Sequence, residues 1–220
     1  MSNSSAVQSR PRGRIPADEL ASHEEAFLDA AAALFRCHGF ARVSIDMIAR
    51  AAHVSPKTIY RWYGGKTGLF AAVIKRMLAP ILATQDLFDD PQDADPIAVL
   101  RNVAARFLDR ILEPDAVSLH RMMIAEAVHM PELSALYYRE GYEVAVSRLA
   151  KWLAGQDAAG RLRVPTPRRA AEILAGLVGA GIVDRVLFLN EVPTADERVV
   201  LLEDALNIFA LAHTRAGLPK

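Results

Sequence analysis

The stretch SPKTIYRWYGGK, residues 55–66, crowds Lys57, Thr58, Tyr60, Arg61, Trp62 and Lys66 into little more than two helical turns. Side chains of these types suit contact with the bases and phosphates of nucleic acid. Lys57, at the N-terminal end, can offer its ammonium to guanine O6 and N7, and Tyr60, one turn on, can place its ring or hydroxyl against a base edge. Thr58 and Arg61 suit phosphate oxygens, which take half or more of the hydrogen bonds in such interfaces. Lys66 opens the next helix, where its charge adds to free N–H groups and a positive dipole end that also favour phosphate. Ser44 caps the preceding helix and can present its backbone N–H to a phosphate. Tyr60, Trp62 and Tyr63 could instead be the aromatic core of a small bundle. Tyr63, one turn from Ile59, is assigned to that core. No core explains Lys57 or Arg61, because Lys and Arg are almost never fully buried unpaired; a merely solvated face stays open.

Other reactive groups are few. Glu126 and His129 have the i, i+3 spacing of half a di-metal carboxylate motif, but no second Glu-x-x-His exists. His120 and Glu126, six apart, do not share a helix face well. No metal, cofactor or catalytic residue is therefore expected. The single cysteine, Cys37, excludes an intrachain disulfide, which fits a reducing compartment. It lies in an apolar helical stretch and reads as a small buried hydrophobe.

The elements that must position these groups are helical. Ser22 and Glu25 form a capping box, Phe27, Ala31, Leu34, Phe35 and His38 follow at helical spacing, and Gly39 ends the helix. Ser44 opens a second helix with Ile45, Ile48, Ala49 and Ala52 inward. Ser55 caps a third, with Pro56 at its first position, and Gly64-Gly65 stop it. A fourth starts near Lys66. Further amphipathic segments span about 96–113, 115–129, 131–155, 167–189 and 195–216, the last opened by a Thr194–Glu197 capping box. No strand-like alternation appears, so the fold class is all-α with about nine helices. The short, tightly linked second and third helices make a helix-turn-helix, whose second member enters the major groove by its N-terminal end.

The 220 residues are 52% apolar, enough for a core, and their formal net charge is zero. That charge is unevenly placed. Residues 1–76 carry 11 Lys and Arg against 6 Asp and Glu, and the remainder carries 15 against 20. A basic front on an acidic body suggests that only the front meets a polyanion. No signal peptide and no run of about 18 apolar residues is present, which predicts a cytoplasmic protein with no membrane partner. The organisation read here is a disordered basic arm over 1–20, a helix-turn-helix domain over 21–66 and a larger helical domain over 67–220. Arg10, Arg12 and Arg14 in the arm suit either a solvated tail or a strand lying along nucleic acid.

The run FLDAAAALFRCHGFARVSIDMIARAAHVSPKTIYRWYGGKTGLFAAVIKRML resembles the N-terminal DNA-binding domain of TetR/AcrR-type transcriptional regulators. It keeps Gly39-Phe40, Ser44 with Ile48-Ala49, Val54-Ser55, Thr58-Ile59-Tyr60, Lys66 and Leu69-Phe70. The resemblance implies Pro56, Lys57 and Tyr60 near bases, and Thr58, Arg61, Trp62 and Lys66 near phosphates. His53 departs from it, standing where the family usually has Gly; His tolerates positive φ better than most residues.

LHRMMIAEAVHMPELSALYY and AAGRLRVPTPRRAAEILAGLV are similar to the AefR-type C-terminal region of a subset of these regulators. That resemblance implies a homodimer formed through the last two helices and an effector pocket among the middle ones. The interface residues expected are Leu174, Leu177, Val178 and Gly181, with Leu201, Ala205, Ile208, Phe209 and Ala212 on the last helix. Gly176 and Gly179-Ala180, inside an apolar helix, would permit close approach of another helix. Phe107, Met122, Met123, Glu126, His129, Tyr137 and Tyr142 are the pocket candidates, an apolar lining with a few polar groups. The function expected is a ligand-responsive repressor that binds a palindromic double-stranded operator as a dimer and is released by a small-molecule effector. Two alternatives compete with it: an all-α metal-dependent enzyme built on Glu126 and His129, and a helical protein–protein adaptor.

Overall fold

The computed structural model describes residues 17–83, 88, 94–179 and 181–214. The chain forms α1 (Ala17–Arg42), α2 (Ile45–Ala51), α3 (Pro56–Tyr63), α4 (Lys66–Leu82), α5 (Pro96–Ile111), α6 (Pro114–Glu126), α7 (Pro131–Tyr138), α8 (Val144–Ala158), α9 (Pro167–Gly179), α10 (Ile182–Asp184) and α11 (Ala195–His213). Arg139–Glu143 is a π-helical turn joining α7 to α8, and Arg185–Leu189 is a second one after α10. No strand occurs among the described residues, and no helix there is long and apolar enough to cross a membrane.

Starts and stops follow local chemistry. Ser44 accepts from the Met47 amide, Ser55 from the Thr58 amide, and Asp95 from the Ile97 and Ala98 amides, each satisfying N–H groups orphaned at a helix start. Thr194 and Glu197 form the reciprocal capping box of α11. Three expectations need correction. α1 begins at Ala17, so Ser22 lies inside it rather than at its cap, and residues 17–20 of the expected arm are helical; residues 1–16 lie outside the described chain. The expected helix over 131–155 carries a π turn. The expected helix over 167–189 stops at Gly179, because Gly181 adopts a left-handed conformation (φ 72°) and redirects the chain. In this chain a Cβ on Gly176 would meet nothing within 4 Å, so no close helix contact within the monomer explains that glycine.

Burial divides into two cores. The first joins Phe27, Ala31 and Phe35 of α1, Ile48 of α2, Ile59 of α3 and Leu69, Phe70, Val73 and Ile74 of α4. It also takes in Leu119, Met122 and Met123 of α6 and Leu133 of α7. The second joins α5, α8, α9 and α11 through Leu100, Leu108, Leu153, Leu174, Leu206 and Phe209. Helix α6 thus serves both, with Val117 in the second core and Leu119 in the first. Forked Arg–carboxylate pairs tie the elements further: Arg76 to Asp29 (2.8 and 2.9 Å) between α4 and α1, and Arg101 to Glu203 between α5 and α11. Arg36 of α1 pairs with Asp115 of α6.

Cys37 is exposed, contrary to expectation. It follows Phe35 by two positions, about 200° around the helix, and so falls on the outer face of α1.

The turn between α3 and α4 is sterically exacting. A Cβ on Gly68 would stand 1.9 Å from the Tyr63 carbonyl oxygen, a backbone atom that cannot yield without moving α3. Gly68→Ala is expected to destabilise the protein by about 2 kcal/mol, lowering Tm by about 4–8 °C in a thermal melt. An unchanged melt would show that α3 and α4 can part freely.

Candidate nucleic-acid interface and ligand cavity

Helix α3 is short, and its strong amphipathicity decides which side chains face out. Ile59 is fully buried, and burying such a side chain stabilises by about 1.5–3 kcal/mol. Tyr63 stacks flat on Phe27 (centroids 5.5 Å apart, planes at 7°) and its hydroxyl donates to the Glu24 carboxylate at 3.2 Å. Burial, aided by the Glu24 charge, pushes the Tyr63 phenol up to about 12. Trp62 sets its edge against the Phe27 ring at 6.0 Å. These contacts fix the rotation of α3 about its axis.

That rotation leaves Pro56, Lys57, Tyr60 and Arg61 exposed, Tyr60 at 58%. Trp62 is half-exposed, and the Arg61 guanidinium lies 6.0 Å from its ring centroid. Thr58 is half-buried, with its hydroxyl 2.8 Å from that of Ser55. Ser44 is exposed at the start of α2. His53, in the turn before α3, adopts a positive φ (55°), a conformation that Gly takes without strain and His tolerates better than most residues.

Lys66 behaves differently from the other cations. Its ammonium donates to the Ala41 carbonyl at 3.3 Å and sits 4.2 Å from the centroid of the Phe40 ring. Burial lowers its pKa, and the charge of Glu126 opposes that shift. In this conformation Lys66 is turned toward the α1–α2 junction rather than held out for a phosphate.

Between the two cores lies a cavity of about 440 Å³, within the range of small-molecule sites. Leu78 and Leu82 of α4, Phe107 of α5, Ala116 and His120 of α6, Tyr137 and Tyr138 of α7, and Tyr142, Arg148, Val178 and Leu187 contribute to its lining. Of the seven pocket candidates, the structure brings Phe107, Tyr137 and Tyr142 to the cavity. Met122 and Met123 are buried in the first core instead and do not line the cavity, Met122 lying about 200° around α6 from His120. Glu126 lies near Lys66, and His129 is exposed beyond the end of α6. Among the described residues no group of three or more metal-ligating side chains lies together.

His120 and Arg148 line the cavity although neither was among the pocket candidates. His120 Nδ1 lies 3.0 Å from the Tyr137 hydroxyl, and Arg148 donates to the Leu82 carbonyl. The signal for His120 was a polar side chain four residues after Ala116, within an otherwise apolar helix face.

The expected interface residues divide into two sets. Leu174, Val178, Ala205 and Phe209 are buried within the monomer, the first two lining the cavity, so they point away from any partner. Leu177 is half-buried. Gly181, Leu201, Ile208 and Ala212 are exposed; Leu201, Ile208 and Ala212, with Leu211, run along the outer side of α11.

Burial lowers the His120 pKa, which keeps the ring neutral in the fold. An unfolded histidine takes up a proton near pH 6.5. The stability this site contributes is therefore present above that value and is lost as pH falls through the folded pKa. Acidification from pH 7 to 5 should lower Tm more in the wild type than in His120→Asn, measured by thermal melts. Equal falls would show that the site is not linked to folding.

Comparison with known proteins agrees with this geometry. The family of bacterial regulatory proteins of tetR type matches residues 27–73, and the C-terminal domain family of AefR-like transcriptional repressors matches residues 98–214. The chain is 31% identical over 121 residues to the HTH-type transcriptional repressor SCO4008 of Streptomyces coelicolor, a match covering 55% of this chain and 50% of that protein. The chain spans about half the length of the curated relatives it matches. A TetR-family structure from Mesorhizobium loti superposes with a TM-score of 0.79 at 22% identity, covering 88% of this chain and 98% of that one, and so shares the fold. The flavonoid-responsive regulator FrrA superposes with a TM-score of 0.78 at 27% identity, over 89% of this chain and 98% of its own. The chain belongs to the TetR family of bacterial transcriptional regulators, a non-enzyme family, with a C-terminal domain of the AefR-like repressor type.

Proposed function

We propose that the protein is a cytoplasmic repressor that grips a palindromic operator as a homodimer and releases it when a small molecule enters the cavity. One observation carries this reading: α3 turns Lys57, Tyr60 and Arg61 outward from an otherwise apolar anchor. Residues up to 66 act as the reading head, and residues from 67 as the effector-binding and dimerising body. Lys57, Tyr60 and Pro56 meet bases, while Arg61, Thr58, Trp62 and the Ser44 amide meet the backbone. Lys66 holds α4 against the α1–α2 junction and thereby positions the head.

The exposed side of α11 supports the dimer. Ile208 and Leu211 are 54% and 68% exposed, and a second copy would cover them. Two-fold pairing presents two α3 helices to half-sites about one turn of duplex apart. FrrA, by its description, responds to flavonoids, which supports a small-molecule effector here. An effector acts only if its affinity differs between the duplex-fitting and non-fitting arrangements. Helix α6 lies on the route, since it carries His120 at the cavity and Met122 and Met123 in the core beneath α1 and α4.

Two measurements test this reading. Specific duplex binding should weaken steeply with salt, and Arg61→Ala should lower the log–log slope by about 1 for all sequences alike. Lys57→Ala should instead change which bases are selected from random duplexes. Salt-independent binding, or identical behaviour of the two variants, would remove the assigned roles. In the second, Ile208→Glu should convert a dimeric mass to a monomeric one in light scattering and abolish high-affinity duplex binding. A dimer that persists with full affinity would place the interface elsewhere.

A further inference from the structure

The cavity has a specific chemical character. Among its described lining residues the ionisable side chains are His120, Tyr137, Tyr138, Tyr142 and Arg148, with no carboxylate. The rest is aliphatic or phenyl surface, with Phe88 and Phe107 joining the tyrosine rings. Such a wall takes a largely apolar, ring-containing ligand. A positive charge entering it would lose its hydration, find no carboxylate among the described lining residues, and meet the like charge of Arg148.

Within this wall the His120–Tyr137 pair is a polar point. The tyrosine hydroxyl engages Nδ1, and no described residue pairs with the other ring nitrogen. With the phenol as donor, Nε2 carries the ring proton and can donate. With the other tautomer, Nε2 can accept. The pair therefore matches a ligand hydroxyl in either sense, because a hydroxyl both donates and accepts. Burial keeps both members neutral, lowering the imidazole pKa and pushing the phenol up to about 12.

The wall also has local give. Gly141 and Tyr142 belong to the first π-helical turn, and Val186 and Leu187 to the second, so both irregular turns face the cavity. Such turns within α-helices often mark functional sites. At Gly141 an added Cβ would come within 3.3 Å of Leu78 on α4, so this wall presses against the helix leading to the reading head.

We infer that the effector is a hydroxylated aromatic compound without a cationic centre, and that the His120–Tyr137 pair selects it by hydrogen bonding to its hydroxyl group. This rests on reading the cavity as the effector site. Calorimetric titration of the full chain, free of DNA, tests it with three probes of similar size. These are apigenin (a trihydroxyflavone), the parent flavone lacking hydroxyls, and the cationic dye ethidium. Apigenin should bind about tenfold or more tighter than flavone, and ethidium should give no measurable heat. In Tyr137→Phe the preference for apigenin over flavone should shrink severalfold. The wild-type comparison stands even if that variant fails to fold. Equal affinity for apigenin and flavone, binding of ethidium as tight as that of apigenin, or no binding by any probe would overturn the inference. So would an undiminished preference in a folded Tyr137→Phe. Duplex release is measured separately: a protein that binds apigenin as described but stays on its operator would sink the proposed switch and leave the ligand class standing.

Discussion

The structure depends on one constraint: the three-helix N-terminal head, α1 to α3, is too small to close its own core. A unit of about 50 residues buries too little apolar surface to be more than marginally stable. Phe27, Phe35, Ile48 and Ile59 are completed by Leu69, Phe70, Val73 and Ile74 of α4 and by Leu119, Met122 and Met123 of α6. The head is therefore built on the helices that also wall the cavity. Close-packed interiors transmit displacement rather than absorb it, so a change at His120 cannot be wholly local.

The same constraint explains how a two-turn helix can carry so many polar and aromatic groups. Ile59, Tyr63 and Trp62 anchor α3 from one side, Gly64-Gly65 turn the chain tightly at its end, and Gly68 lets α4 pass beneath the Tyr63 carbonyl. With the axis held from below, Lys57, Tyr60 and Arg61 are presented outward without themselves contributing to the core. Isolated in water, the segment would not repay its nucleation.

Electrostatics sharpens the division between head and body. The cations of α3 are exposed, whereas Arg36, Arg76, Arg101 and Arg168 are committed to carboxylates that brace helix pairs. Lys66 is also turned inward, but its partners are the Ala41 carbonyl and the Phe40 ring near the α1–α2 junction rather than a carboxylate. Partly exposed pairs of this sort add modest stability each and more in orientation.

Much was legible in the chain itself. Helix starts at Ser44, Ser55, Asp95 and Thr194 follow from capping chemistry that acts within four residues, and the inward face of α3 follows from its period. Local pattern could not say which side of a doubly buried helix meets which core. Met122 and Met123 look as much like a pocket as His120 does until α6 is placed between α4 and α5. Leu174, Val178, Ala205 and Phe209 look like an interface until α8 and α5 cover them. The two π turns likewise carry no local signal in the chain, whereas the break at Gly181 follows from the left-handed backbone that glycine permits. Sequence determined the helices and which side chains α3 turns outward, because caps and periodicity are short-range. Tertiary structure decided the cavity, its His120–Tyr137 pair and the outer side of α11, because those depend on contacts between residues far apart in the chain.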